Sequence, residues 1–337
     1  MLNTSRQITI RQDWLDQHAE PVLEPGLPII DPHHHIWVHE DERYLLPDLL
    51  RDTASGHDIR ATVFVQCASQ YDLDAPPERQ SLGETRFMTE VAMASEGGST
   101  RACAGIVGLV DLTLGDAVAP LLEEHVALSG GRFKGVRNRT AWDASPAVRS
   151  NLVSPPPGPL GTPEFREGAK RLAALGLTLD VWAYHPQLPL VLEVARAVPE
   201  LTLVVNHCGG PLGVGPYDRA AEFRTWRASV AALAACPNVV MKLGGLAMQV
   251  GGLDLHERPL PPDSATLAEA WRPHVESCVE LFGAQRCMFE SNFPVDKGMC
   301  SYPVLWNAFK RLAASATEGE RTALFSGTAA RVYRLAI

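Results

Sequence analysis

No run of lysine or arginine breaks the acidity of this chain. Its 30 basic residues face 39 acidic ones, a formal charge of −9, which argues against a nucleic-acid partner. It has no C-x-x-C pair either. The seven cysteines, at 67, 103, 208, 236, 278, 287 and 300, are scattered and odd in number. That excludes a disulfide frame or a thiolate zinc site and fits reduced thiols. The opening stretch MLNTSRQITIRQDWLDQHAE lacks the apolar core of a secretory signal and the character of a transit peptide. No apolar run is long enough to cross a bilayer, so no membrane partner is expected and the cytoplasm is the expected compartment. Internal repeats, low-complexity tracts and an interdomain linker are also missing.

What remains is an ordinary globular composition, 46% hydrophobic and 20% charged over 337 residues, enough to bury a large core. Eight short β-branched or apolar runs fall at 27–31, 61–66, 102–110, 132–137, 178–182, 201–206, 238–243 and 286–291. Amphipathic stretches alternate with them at 84–95, 117–129, 163–175, 188–198, 220–235 and 267–281. Alternation of this kind implies a parallel sheet with helical crossovers, and eight units imply an α/β fold closed into a (β/α)8 barrel. Residues 1–26 read as a leading arm and 27–337 as one barrel domain. Two Pro/Gly-rich segments, 142–162 and 244–264, are too long for tight turns. Both follow a strand, which places them on the catalytic face as binding loops.

The chemistry gathers at strand ends. The first strand runs into Asp31-Pro-His33-His34-His35, where period-2 alternation puts Asp31, His33 and His35 on one face and turns His34 away. Two imidazoles at a barrel mouth can hold a divalent metal or polarise a carbonyl directly. The sixth strand delivers His207, followed by Gly209-Gly210, a turn that lets backbone come near a ligand. A lone histidine after an apolar strand is more often a hydrogen-bonded core residue; sharing a rim with His33 and His35 favours function. His185 and Gln187 follow the fifth strand, where they either reach the site or cap the next helix. Trp182 walls the pocket or packs under a loop. Lys134, Arg137 and Arg139 concentrate positive charge at one rim position on the fourth strand, with Arg137, joined by Lys134, suited to anchor a substrate carboxylate. Lys242 either lines the interior or turns to the helices. Glu290 and Asn292, two apart, share a face on the eighth strand, and Asp296 lies just beyond. Tyr217 and Trp142 are candidates for shaping specificity.

The ordered stretches IIDPHHHIW, VFVQCASQYD, AGIVGLVDL, FKGVRN, LDVWAYHPQL, VVNHCGGP, NVVMKLGG and MFESNFPVD resemble the amidohydrolase superfamily. More narrowly, they resemble its amidohydrolase-related branch of 2-pyrone-4,6-dicarboxylate lactonases, sugar-acid lactonases and 4-sulfomuconolactone hydrolases, which also holds metal-dependent decarboxylases. The resemblance implies His33 and His35 as the strand 1 pair. It implies His207 as carbonyl-polarising or metal-binding residue and Arg137 as a carboxylate anchor. It implies a monomer or homodimer acting on a small, anionic molecule. Zinc or another divalent ion would sit on His33, His35 and His207; otherwise there is no cofactor. Asn292 stands where the family has its aspartate base, and an amide cannot take a proton at neutral pH. Glu290, Asp296, or histidine chemistry without a strand 8 base are the open replacements, with Glu290 favoured. The leading expectation is lactone hydrolysis. The alternatives are metal-dependent decarboxylation of an aromatic or dienoic acid, and ligand binding without turnover.

Overall fold

The computed structural model describes residues 7–38, 42–150 and 155–336. Positions 1–6 of the arm and 151–154 of the first long loop lie outside the described residues.

Eight parallel strands follow one another round the barrel in chain order. They are β1 (Pro28–His34), β2 (Asp58–Val65), β3 (Arg101–Gly108), β4 (Phe133–Arg139), β5 (Thr178–Trp182), β6 (Leu203–Val205), β7 (Val239–Leu243) and β8 (Cys287–Phe289). Closure is made just past β8. Asn292 N–H donates to His33 O at 2.9 Å, His35 N–H donates to Phe293 O at 2.7 Å, and His34 bridges Phe293 in parallel. The barrel interior is filled by small and β-branched side chains, among them Ile30, Ala61, Val63, Val65, Val107, Val204 and Val240. The outward-facing positions of the same strands join the helices in the larger core. The two face sets are what a strand buried on both sides requires.

Two boundaries bear on the site. β1 continues three residues beyond the expected end, to His34, with an irregularity in register between Asp31 and His34. Pro32 sits in that irregular stretch and has no N–H for the ladder; bulges of this kind re-aim side chains near active sites. β8 stops at Phe289, earlier than expected. Glu290 and Asn292 therefore lie on irregular backbone, Asn292 with φ +55°, and strict alternation no longer governs where they point.

Beneath the rim lies a buried polar layer. Lys242 Nζ pairs with Asp180 Oδ2 at 2.8 Å and donates to Pro32 O at 2.8 Å. Asn206 and Tyr333 donate to the same carboxylate. Lys242 thus faces the barrel interior and not the helices, paired with Asp180. Removing one partner of a buried pair leaves an uncompensated charge, so Lys242→Ala should lose about 3–5 kcal/mol of stability. Urea unfolding would measure this, and a loss below about 1 kcal/mol would contradict the assignment of a tightly coupled pair. Lys134 lies at the start of β4, at the opposite mouth from the strand ends, and donates to Gly131 O at 2.8 Å. The substrate role expected of it is corrected. Parallel strands put only their C-terminal residues on the catalytic rim, and Lys134 is second from the other end.

The arm does not stand apart. Leu23 N–H and the Asn307 and Lys310 side chains join residues 20–24 to the helix Tyr302–Leu312. No helix among the described residues is long and apolar enough to cross a membrane.

Candidate active site

At the C-terminal mouth lies a cavity of about 310 Å³. His35, Trp37, Gln66, Cys67, Arg137, Arg139, Trp182, His207 and Asn292 reach it from strand ends around the barrel. The arm contributes Gln7, and the two long loops contribute Ser150 and Met248.

Three imidazoles meet here. The ring centroid of His33 lies 5.0 Å from that of His35 and 4.6 Å from that of His207. His34 turns away as expected, with Nε2 2.8 Å from Thr62 Oγ1. Hydrogen bonds settle the tautomers. His35 Nδ1 donates to Val65 O at 2.7 Å, because a carbonyl only accepts. His207 Nδ1 donates to Glu290 Oε1 at 2.7 Å, and its backbone N–H reaches the same oxygen at 3.0 Å. Arg137 Nη1 donates to His33 Nε2 at 3.3 Å, so the His33 proton is on Nδ1. That nitrogen lies 2.6 Å from Glu290 Oε2, out of line for a hydrogen bond, so the contact is electrostatic. His35 and His207 each keep Nε2 for the cavity.

Burial pushes all three imidazoles down from their ordinary range. Lys242 is the next influence on His33 and Arg137 the next on His35; for His207 the Glu290 carboxylate opposes the burial. All three are therefore neutral at neutral pH and able to accept at Nε2.

Local sequence explains the packing. Gly245 has φ +63°, and a Cβ there would fall 2.3 Å from His207 Nδ1, so the glycines ending MKLGG let β7 pass against the His207–Glu290 pair. The close approach made by Gly210 is different from the one expected. Its Cβ position lies 2.2 Å from Ala183 O, against the end of β5, and not against a ligand.

The other expected residues divide. Arg137 lines the cavity, but Nη1 is on His33 and Nη2 donates to Gln66 O, which leaves less of it for a carboxylate. Trp182 does wall the pocket, its ring 4.6 Å from His207 and its Nε1 donating to Ser150 Oγ at 3.2 Å. Glu290 is fully buried behind His33 and His207 and does not line the cavity. The shared face inferred for Glu290 and Asn292 is corrected, because the strand ends before them. Asp296 does not line the cavity either; it accepts from Asn292 Nδ2 at 2.8 Å and from Ala247 N–H at 3.3 Å. His185 has both ring nitrogens engaged away from the cavity, with Glu222 at 3.2 Å and Leu212 N–H at 3.2 Å. Tyr217 donates to Asp143 Oδ2 at 2.6 Å and braces the first long loop, while Trp142 N–H donates to Gln187 Oε1. None of these three lines the cavity. Gln66, Trp37 and Gln7 were missed. A glutamine ending the apolar run VFVQ was the available signal for the first; nothing local marks the other two.

His33, His207 and Glu290 bring ligand-type atoms within 4.8 Å of one another, the donor chemistry of a divalent metal site. His35 is not part of this compact set, a difference from the three-histidine set expected from the sequence.

The chain matches the amidohydrolase family model over residues 30–335. It is 32% identical to the uncharacterized protein y4mH of Sinorhizobium fredii, over 92% of this chain and 99% of that one. It is 29% identical to the L-fucono-1,5-lactonase of Burkholderia multivorans, over 91% and 96%. An amidohydrolase crystal structure from B. multivorans with bound zinc is 28% identical and superposes with a TM-score of 0.71, covering 91% of this chain and 99% of that chain.

Proposed function

From a chain that belongs to the amidohydrolase family and is a hydrolase, we propose the hydrolysis of a small lactone to its hydroxy acid. One observation carries this reading. His207 offers a neutral Nε2 to the cavity, with Nδ1–H fixed on a buried carboxylate, and the Arg137 guanidinium lines the same cavity. The lactonase named above among the relatives supports it.

In the proposed reaction, His207 Nε2 takes a proton from water as the water oxygen bonds to the lactone carbonyl carbon. Arg137, a fixed cation with several N–H donors, stabilises the carbonyl oxygen as it becomes an oxyanion. The bond from that carbon to the ring oxygen then breaks, and His207 returns the proton to the leaving alkoxide. Glu290 touches no substrate. It holds the His207 tautomer and stabilises the transient imidazolium. Trp37 and Trp182 give the cavity flat apolar walls, and Arg139 supplies a cation for a carboxylate or polar substituent.

A metal fits this arrangement poorly. Two atoms bound to a tetrahedral zinc at ~2.1 Å lie roughly 3.4 Å apart. The contacts of Glu290 with the two histidines, one electrostatic and one a hydrogen bond, are 2.6 and 2.7 Å, closer than two ligands of one zinc ion stand. The outward nitrogen of His33 already faces a guanidinium that cannot lose its proton. No step is therefore routed through an ion.

Turnover of a panel of five- and six-membered aldonolactones, before and after chelation and with elemental analysis, tests both statements. Ring opening at an unchanged rate in chelated, metal-free protein is expected. No ring opening across the panel, or release of carbon dioxide from an aromatic acid, would overturn the lactonase reading; loss of activity restored by zinc would overturn the metal-free one.

A further inference from the structure

We propose that Asp296 is a positioning residue that fixes which end of the Asn292 amide meets the substrate side, and so makes Asn292 an acceptor for the attacking water. The inference rests on the lactonase reading and adds a second water-binding group to it.

A side-chain amide has a donor end and an acceptor end, and exchanging them costs only a rotation unless a neighbour distinguishes the two. Asn292 is nearly fully buried and lines the cavity. Its backbone, at φ +55°, is pinned by donation to His33 O at 2.9 Å. Its Nδ2 donates to Asp296 Oδ1 at 2.8 Å. Asp296 is itself held from the other side, Ala247 N–H donating to Oδ2 at 3.3 Å, and from its own backbone, whose N–H donates to Asn292 O at 3.2 Å. With Asp296 ionised, the donor end is committed to it and the carbonyl Oδ1 is the end left for the cavity; burial pushes the Asp296 carboxyl up to about 8, so this orientation is enforced as pH rises through that range.

A nucleophilic water needs acceptors for its two hydrogens and a lone pair left free for the carbonyl carbon. His207 Nε2 is one acceptor and takes the proton. Asn292 Oδ1 is the second and holds the hydrogen that stays. Asn292 therefore needs no basicity, and an amide serves where its neighbour enforces the orientation. Lactone opening balances as before: one water proton passes to His207 and on to the ring oxygen, and the other remains on the new carboxyl group until it ionises.

Asp296→Ala should lower kcat about 10–100-fold with KM within about threefold, because the amide is then free to turn its donor end to the water. The exchanged pair Asn292→Asp/Asp296→Asn should recover most of that loss. The amide placed at position 296 can accept from Ala247 N–H with its carbonyl and donate with its nitrogen to the carboxylate placed at position 292, which offers the water only acceptors. Side-chain amide NMR of 15N-labelled protein gives a readout independent of turnover. The Asn292 NH2 signal, assigned by its loss in Asn292→Asp, should exchange slowly with solvent in the wild type and fast in Asp296→Ala. An Asp296→Ala variant that melts normally and keeps kcat within twofold overturns the proposal, as does an exchanged pair as slow as the single variant. Should Asp296→Ala fail to fold, the exchanged pair and the wild-type NMR signal decide alone. A wild type that opens no lactone defeats the proposed function, while the NMR result still settles the amide's orientation.

Discussion

Glu290→Gln should lower kcat by about 10³–10⁴-fold with a folded protein and little change in KM. The carboxylate has two duties, and glutamine can perform one. Its carbonyl can still accept from His207 at Nδ1 and at the backbone N–H. Its amide nitrogen would then face His33 Nδ1, which carries a proton because Arg137 occupies Nε2. Two donors would meet in a fully buried space, at a cost of about 1–3 kcal/mol. The imidazolium formed on His207 during proton transfer would also lose its counter-charge. The pH profile separates these effects from simple disorder. His207 lies below its ordinary range of about 6.5, burial lowering it and Glu290 opposing. The neutral base is the active form, so activity should be flat above that region and fall as pH drops through the histidine's own pKa. Removing the charge of Glu290 removes the opposing influence, so the acid limb of the residual activity should move to still lower pH. A limb displaced to higher pH, or a variant within tenfold of the wild type, would show that Glu290 does not act through His207.

Arg137→Met should lower kcat/KM by about 10²–10³-fold, most of it in kcat. The guanidinium lines the cavity beside His207, and its two terminal nitrogens are held by His33 Nε2 and Gln66 O. That attachment aligns it before substrate arrives, which is what makes a donor effective on an oxyanion. Arg137→Lys should recover little, because one ammonium cannot bridge two fixed acceptors and still aim at a third. Steady-state kinetics of both variants decide the point. A loss confined to KM would mean that Arg137 anchors a substrate group and takes no part in stabilising the oxyanion.

Barrel order was legible because period-2 runs and amphipathic stretches alternate along the whole chain. The meeting of His33, His35 and His207 was legible for a related reason: each follows a strand whose C-terminal end must reach the same rim. The readings that failed did so where that regularity stops. Glu290 and Asn292 were assigned one face by counting in twos, but the strand ends at Phe289 and the backbone turns at Asn292. Lys134 was placed on the rim by its nearness in sequence to Arg137, although three residues along a strand span much of the barrel's height. His185 and Tyr217 looked like ligand contacts, but their partners, Glu222 and Asp143, come from distant segments that no local pattern announces. Gln7 is the extreme case. Only the path of residues 7–26, distant in sequence from every strand end but the first, brings it to the cavity.

Proton release as purified protein opens an aldonolactone, with His207→Gln run beside the wild type, is the most direct test of His207 as the base. Proton transfer through His207 predicts saturable ring opening by the wild type and a loss of about a thousandfold in the variant, at unchanged melting temperature. Equal rates for the two proteins would contradict it, since the proton of the attacking water would then be passing to some group other than His207.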